Sequence, residues 1–92
     1  MATFAFEWNE EKALTNITKH GVSFEEASTV LSDDHSITIY DEAHSSDEDR
    51  YIDIGLSISN RLLVVVYTER MDHIRIISAR QATGAERRLY EQ

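Results

Sequence analysis

The sequence predicts an α+β fold in which helices pack against a mainly antiparallel sheet of about four strands. Two capped helical segments occupy the first third of the chain, and four segments rich in β-branched residues follow them. A third capped segment lies at the C-terminal end. The connections between the predicted strands are short, which is typical of antiparallel pairing. With 92 residues, we expect one domain over residues 1–92.

Both N-terminal helices begin at recognisable caps. Asn9 stands before two glutamates and predicts a helix over about 10–19. Ser23 and Glu26 have the spacing of a capping box and predict a second helix over about 24–32. The apolar side chains of these helices should face the core; they are Leu14, Ile17, Ala27, Val30 and Leu31.

Four strands are predicted after the helices. Isoleucines alternate with polar residues over 36–40, which predicts a half-buried strand, and alternation resumes over 51–56. Residues 61–68 are apolar on both faces and rich in β-branched side chains, which predicts a central strand covered on two sides. A turn at 70–72 leads into the last strand, 73–80. The core residues expected from these strands are Ile54, Val64, Val66, Ile74 and Ile76.

A loop and a terminal helix complete the predicted elements. Residues 41–49 are rich in acidic residues and contain no large apolar side chain, so we expect an exposed and mobile loop. Thr83 and Glu86 form a second capping box and predict a helix over about 84–91. Four aromatic residues occupy places around the first two helix caps that favour core packing over base stacking. They are Phe4, Phe6, Trp8 and Phe24.

The charge of the chain is unevenly distributed. The formal net charge of −8 argues against nucleic-acid binding, which depends on cations. Residues 1–49, however, contain twelve acids and two lysines, whereas residues 50–92 contain seven arginines and five acids. Because a guanidinium binds phosphate bidentately, a fold that gathers several of these arginines could hold a phosphodiester. The alternative is that most of them pair with nearby carboxylates.

Several classes of protein and site are excluded by composition. The absence of cysteine excludes disulfides, thiolate metal sites and a thiol nucleophile. The longest apolar run, 62–67, is far shorter than the roughly 20 residues of a membrane span, and no signal-like segment opens the chain. We therefore expect a cytoplasmic protein. His35 and His44 lie beside aspartates but lack the spacing of metal ligands, so we expect neither a metal nor another cofactor.

Six segments spread over nearly the whole chain form a recognisable pattern: residues 6–12, 19–27 (KHGVSFEEA), 61–70 (RLLVVVYTER), 75–80 (RIISAR), 82–83 and 86–88. They resemble the BrnT family, the toxins of type II toxin–antitoxin pairs. The resemblance implies a RelE-like fold, a ribonuclease activity that inhibits translation, and neutralisation by a cognate BrnA antitoxin that also binds operator DNA. His35 and Gln81 depart from the family pattern, which commonly has proline and a basic residue there. The glutamine lowers the local positive potential.

Lys19 and His20 stand together at the predicted end of the first helix. Histidine gives and takes a proton near neutral pH, which suits the proton transfers of RNA cleavage. The alternative is that both residues only stabilise a helix C-terminus electrostatically. The BrnT resemblance implies a catalytic role for Lys19 and adds His20 as a candidate.

The remaining candidates lie on the predicted strands. Glu69 and Arg70 end the central strand, where Glu69 could instead form an ion pair with an arginine. Arg75 and Arg80 are an odd number of residues apart, so only a bulge or the strand end would bring both to one phosphate. We therefore predict Lys19, His20, Glu69, Arg70 and Arg80 as catalytic. Arg50 and Arg75 are predicted to bind RNA.

Two functions are compatible with these features. The first is a metal-independent endoribonuclease that cleaves RNA, and whose BrnA-like antitoxin covers the arginines of residues 70–80 with acidic side chains. The antitoxin would form a hetero-oligomer with the chain and alone contact operator DNA. The alternative is a non-catalytic protein-binding module of the same fold with a degenerate site, which the net charge and Gln81 favour.

Overall fold

The structure is a computed structural model that describes residues 5–92. It contains a five-stranded sheet with two helices on one face and a third helix on the other. The elements in chain order are β1 (Ala5–Glu7), α1 (Glu10–His20), α2 (Phe24–Val30), β2 (Ile37–Tyr40), β3 (Arg50–Leu56), β4 (Leu62–Arg70), β5 (His73–Gln81) and α3 (Gly84–Tyr90). The strand order is β1-β5-β4-β3-β2, and every pair is antiparallel except β1 with β5. The predicted α+β class and the mainly antiparallel sheet are confirmed.

The strand that sequence reasoning missed is β1. Its three residues pair in parallel with β5, where Ala5 lies opposite His73 and Glu7 opposite Arg75. Three residues are too few to show a period of two, and their partner lies near the other end of the chain. The predicted count of about four strands is therefore one too low.

Of the four aromatic residues expected in the core, Phe24 is buried and Trp8 packs against it, Phe6 is exposed, and Phe4 lies outside the described residues.

Helix α1 contacts the sheet through a face that the sequence analysis did not select. Leu14 and Ile17, predicted as core residues, are 66% and 45% exposed, whereas Ala13 and Asn16 are buried. The Asn16 side chain donates to the carbonyl oxygens of Val22 and Ala79 at 2.9 and 2.8 Å and accepts from the Ala79 N–H at 3.2 Å. These bonds fix the rotation of α1, so its apolar stripe faces outward.

The helix caps agree with the sequence, with one exception. Asn9 accepts from the Lys12 N–H at 3.1 Å, and Thr83 forms a reciprocal capping box at the start of α3. Ser23 caps α2 by accepting from the Glu26 N–H at 3.0 Å. The Glu26 carboxylate does not complete a box but binds Arg61, whose guanidinium joins α2 to the start of β4. A tertiary ion pair therefore replaces the expected local bond.

Strand β4 separates two apolar clusters, as predicted for a strand covered on both faces. Its odd-numbered residues 63, 65 and 67 pack beneath α1 and α2, while Leu62 and Val64 pack on the α3 side. Val66, predicted in the core, is only partly buried.

The loop 41–49 is largely exposed, as predicted, but contains a short 3-10 turn, Glu42–His44. No helix within residues 5–92 is long and apolar enough to cross a membrane.

Candidate active site

A β-bulge in β5 places Arg75 and Arg80 on the same face of the sheet. Val66 lies opposite Ser78 and Tyr67 lies opposite Ile76, so Ile77 is the extra residue. Arg75 consequently pairs with Thr68 and Arg80 with Val64, and both β4 partners belong to the α3 side. The sequence predicted that Arg75 and Arg80 could act together only if β5 contained a bulge or ended there, and the structure contains the bulge.

Arg80 nevertheless has its own carboxylate. Its two terminal nitrogens each lie 2.7 Å from an oxygen of Glu86, which also accepts from the Thr83 N–H at 2.8 Å. The hydrogen bonds from Arg80 lower the pKa of Glu86 to about 2. Val64 and Thr68 are four residues apart on β4, or about 13 Å. Arg75 and Arg80 bind different carboxylates, since Arg75 lies 3.3 Å from Glu7.

Arg70 binds the carboxylate of Glu48 in the acidic loop, and the charges of two further arginines act on that carboxylate. The Arg70 Nε and Nη2 atoms lie 2.5 and 2.9 Å from its two oxygens. The hydrogen bonds from Arg70 lower the pKa of Glu48, and the charges of Arg75 and Arg50 act in the same direction. We call Arg50, Arg70 and Arg75 the arginine cluster.

The sheet register explains why these arginines converge. Arg50 on β3 lies opposite Thr68 on β4, which lies opposite Arg75 on β5. Arg70 follows Thr68 by two residues and therefore points to the same face. Glu7 on β1 completes the row and lies 3.3 Å from Arg75. Three adjacent strands thus deliver one guanidinium each to the same area.

A pocket of about 150 Å³ lies beside the arginine cluster, beneath the acidic loop. Its lining residues are His44, Ser46, Asp47, Glu48, Arg50, Thr68 and Ile77. Arg50 Nε and Thr68 Oγ1 are buried and have no hydrogen-bond partner within the described chain. Buried polar groups are nearly always paired, so these two atoms leave hydrogen-bonding capacity unused beside the pocket. We call this cavity the loop pocket.

Lys19 and His20 lie at a neighbouring depression, where β5 extends beyond its pairing with β1. Both are exposed at the C-terminal end of α1. The depression, of about 210 Å³, is lined by Lys12, Thr15, Asn16, Lys19, His20, Ile77 and Ser78. Because Ile77 lines both cavities, the bulge lies between this depression and the loop pocket.

Glu69 is on the other face of the sheet. It pairs with Ile74, which is buried beneath α1 and α2, and it lines a cavity with Asp53 and Tyr67. Burial raises the pKa of Asp53, which accepts a hydrogen bond from the Tyr67 hydroxyl at 2.9 Å. Within residues 5–92 Glu69 forms no ion pair, so the alternative role proposed for it from sequence is not observed. Its odd-numbered position on β4 separates it from the arginine cluster.

The comparison with protein families decides what this chain is. Residues 8–86 match the family described as the ribonuclease toxin, BrnT, of type II toxin–antitoxin systems. The chain belongs to the BrnT family. A solved relative is the Brucella abortus ribonuclease toxin BrnT, known from a 1.1 Å crystal structure, which is 25% identical in sequence to this chain. The match covers 88% of this chain and 99% of the Brucella chain with a TM-score of 0.67. A comparison with curated protein sequences gives no significant match.

Membership in the BrnT family implies an RNA target and an antitoxin partner. Within the described part of the chain, no group of three or more His, Asp and Glu residues could hold a metal ion. Of the residues predicted from sequence for this BrnT-family site, the structure brings together Arg50, Arg70 and Arg75. Lys19 and His20 lie on α1, at a depression that shares only Ile77 with the loop pocket. The structure separates Arg80 and Glu69 from the arginine cluster.

Sequence reasoning missed two residues that line the loop pocket of this BrnT-family chain. His44 was considered only as a metal ligand, although an aspartate three residues before it was a signal for an oriented imidazole. Thr68 gave no signal, because a threonine at the end of a β-branched run is ordinary in a strand. Thr68 becomes a candidate site residue only because it is buried between Arg50 and Arg75 in the sheet.

Proposed function

We propose that this chain is a metal-independent endoribonuclease toxin that binds the RNA backbone at the arginine cluster. The observation that carries the proposal is that three adjacent strands each place an arginine on one face of the sheet, where Arg70 binds Glu48 and the charges of Arg50 and Arg75 act on the same carboxylate. Positioned cations of this kind bind a phosphodiester and stabilise the additional negative charge of its transition state. Cleavage through the 2′-hydroxyl also needs proton transfer, for which histidines lie on both sides of Ile77.

Local charge resolves the apparent conflict with the acidic composition. The net charge is −8, but three of the nine cations form the arginine cluster, and Lys12 and Lys19 line the depression that shares Ile77 with the loop pocket. The Arg70–Glu48 pair is about half exposed, and pairs in such positions contribute only about 0–1 kcal/mol. An RNA phosphate can therefore replace Glu48 at small cost.

Lys19 and His20 contact the RNA on the far side of the bulge in this proposal. The two cavities share the lining residue Ile77, and the RNA backbone would cross this residue between the arginine cluster and the end of α1. Arg80 and Glu69 were predicted as catalytic from sequence. We now assign Arg80 to the attachment of α3, because Glu86 already binds both of its terminal nitrogens.

A BrnA-like antitoxin neutralises the chain by covering this cationic surface. Acidic side chains of the antitoxin would replace Glu48 at Arg70 and approach Arg75, as complementary charges do at protein interfaces. The toxin and antitoxin would form a hetero-oligomer, and operator DNA would be bound through the antitoxin alone. The second candidate function, a non-catalytic binding module, is favoured by one observation: the chain's own Glu48 occupies the arginine cluster.

Cleavage of a labelled RNA by the purified chain tests the proposal. We expect cleavage to persist in EDTA and to leave a 2′,3′-cyclic phosphate and a 5′-hydroxyl. Arg70→Ala and Arg75→Ala should each reduce cleavage by about 10²-fold, the scale for loss of one preorganised charge donor. The matched control is Arg87→Ala, which removes an exposed arginine of α3. Absence of cleavage by the wild-type chain would favour the binding module, and cleavage that requires a metal would contradict the mechanism.

A further inference from the structure

We infer that the loop pocket binds the scissile phosphodiester and that His44 accepts the proton of the attacking 2′-hydroxyl. The inference rests on the proposed ribonuclease function, and it adds the position of the scissile phosphodiester and the identity of the general base. It also identifies the acidic loop, expected from sequence to be a mobile segment, as part of the active site.

The first observation is a histidine held by a carboxylate. Nδ1 of His44 lies 3.0 and 3.2 Å from the two carboxylate oxygens of Asp41. A carboxylate only accepts hydrogen bonds, so Nδ1 must carry the proton in this contact. The neutral ring then has its lone pair on Nε2, which is the arrangement of a histidine that acts as a general base.

Asp41 is itself fixed to the start of β3. Its N–H donates to the Arg50 carbonyl at 2.8 Å, and its carbonyl accepts from the Ser45 hydroxyl at 2.6 Å. The Ser45 hydroxyl oxygen accepts in turn from the Arg50 N–H at 2.9 Å. The carboxylate that orients His44 is thus tied to the strand that carries Arg50. A change of position by the loop as a whole would break these bonds.

The second observation is a pair of buried polar atoms without hydrogen-bond partners, which belong to two residues that line the same pocket. Thr68 is only 3% exposed, and its hydroxyl has no partner within the described chain. The Nε atom of Arg50, from the residue directly opposite in the sheet, is buried and unpartnered as well. A phosphodiester offers two non-bridging oxygens, which match one N–H and one hydroxyl donor. Arg75 follows in the same row and supplies further positive charge.

These groups account for a balanced reaction. His44 Nε2 removes the 2′-hydroxyl proton, and the 2′-oxygen attacks phosphorus. The bond from phosphorus to the 5′-oxygen breaks, and that oxygen takes a proton from solvent. The products are a 2′,3′-cyclic phosphate and a 5′-hydroxyl, after which His44 returns its proton to solvent. Arg50 and Thr68 hold the non-bridging oxygens while negative charge accumulates on them.

His20 is the competing base. It lies at the depression on the other side of Ile77, and within residues 5–92 no carboxylate lies within ion-pair distance of it. Its ring therefore lacks the orientation that Asp41 gives to His44. The two histidines are distinguishable by equivalent substitutions.

The experiment compares His44→Gln, His20→Gln and Asp41→Asn with the control His35→Gln. His35 is an exposed loop histidine beside Asp33, and it lines neither cavity. Three quantities are measured: single-turnover cleavage of a labelled RNA, binding of the same RNA with 2′-O-methyl groups that prevent cleavage, and thermal unfolding. We expect His44→Gln to reduce cleavage by about 10²-fold or more while RNA binding and the melting temperature stay unchanged.

Asp41→Asn tests the positioning of the imidazole. An amide can donate to Nδ1 and favour the wrong tautomer, so cleavage should fall by at least about 10-fold with binding retained. Added imidazole should restore part of the activity of His44→Ala, which a purely structural histidine would not allow. His35→Gln should cleave at the wild-type rate.

The outcomes separate the inference from the proposed function. If the wild-type chain cleaves RNA and His44→Gln cleaves equally well, the inference is wrong and the ribonuclease function stands. A loss confined to His20→Gln would transfer the role of base to His20. If His44→Gln loses RNA binding and thermal stability together with cleavage, the residue is structural. A wild-type chain that binds but never cleaves RNA would overturn both proposals.

Discussion

Glu86 binds the Arg80 guanidinium with both carboxylate oxygens, and one of those oxygens also accepts from the backbone N–H of Thr83, the N-cap residue of α3. The Glu86 carboxylate therefore links the C-terminal end of β5 to the N-terminal end of α3. We propose from this double contact that Arg80 stabilises the fold and does not take part in the chemistry, which can be tested directly.

Arg80→Ala should reduce stability and leave cleavage by the folded protein intact. The substitution removes a bidentate, partly exposed ion pair, so we expect a loss of about 1 kcal/mol in the free energy of unfolding. Denaturant unfolding and RNA cleavage on the same samples measure the two effects. Arg87→Ala, whose partner Glu91 is distant at 4.0 Å, is the control. A fall in cleavage of about 10²-fold without loss of stability would return Arg80 to the phosphate site.

The same pair should make the protein sensitive to acid. The pKa of Glu86 is about 2 in the folded chain, below its ordinary value of 4.5. The stabilisation that ionised Glu86 gives to the folded state is thus present above about pH 4.5 and is lost as the pH falls toward 2. Because Arg80 is partly exposed, we expect a loss of about 1–2 kcal/mol rather than the full shift. The free energy of unfolding should fall more between pH 5 and pH 3 in the wild type than in Glu86→Gln. Equal falls in the two proteins would contradict a stabilising role for the Arg80–Glu86 pair.

Glu48→Gln should strengthen RNA binding. The substitution removes the negative charge that now occupies the arginine cluster, so a phosphate meets Arg70 without competition. We expect the affinity for an uncleavable RNA to rise several-fold at low salt and the difference to shrink as salt is added. Glu42→Gln, in the same loop, is the control for net charge. Equal gains in both variants would show a general electrostatic effect, and weaker binding in Glu48→Gln would show that the glutamate supports the site.

Asn16→Ala should cost more stability than Leu14→Ala, the reverse of what hydrophobicity suggests. Loss of the Asn16 amide leaves the Ala79 N–H and the Val22 carbonyl unpaired in a buried place, which costs about 2–3 kcal/mol. Leu14 is 66% exposed, so its truncation should change stability by less than about 0.5 kcal/mol. Denaturant unfolding of both variants measures the difference. Equal losses would mean that α1 packs through its apolar stripe after all.

Local features of this fold could be predicted from the sequence, and features set by distant contacts could not. The caps at Asn9, Ser23 and Thr83 depend on bonds within one turn, which the residue types alone specify. The inward face of α1 depends on Asn16, whose partner Ala79 lies 63 residues away. No pattern of apolar residues contains that information.

The candidate site divides in the same way. Sequence reasoning found the arginines of the cluster because arginine chemistry is visible in composition. It preferred Arg80 to Arg75 because it assumed regular alternation, and the bulge at Ile77 removes that assumption. A bulge without glycine leaves no mark in the sequence. The contribution of Thr68 became visible only when burial was known.

The extra residue in β5 has a consequence for how the chain length can vary. A strand with regular alternation that loses one residue exchanges its inner and outer sides from that point onward. Removal of Ile77 would instead restore regular alternation and leave Arg75 and Arg80 facing the same way, with Ile76 and Ala79 still inside. Single-residue gaps among relatives should therefore fall at this position, since it is a place on β5 where a deletion preserves the phase of the strand.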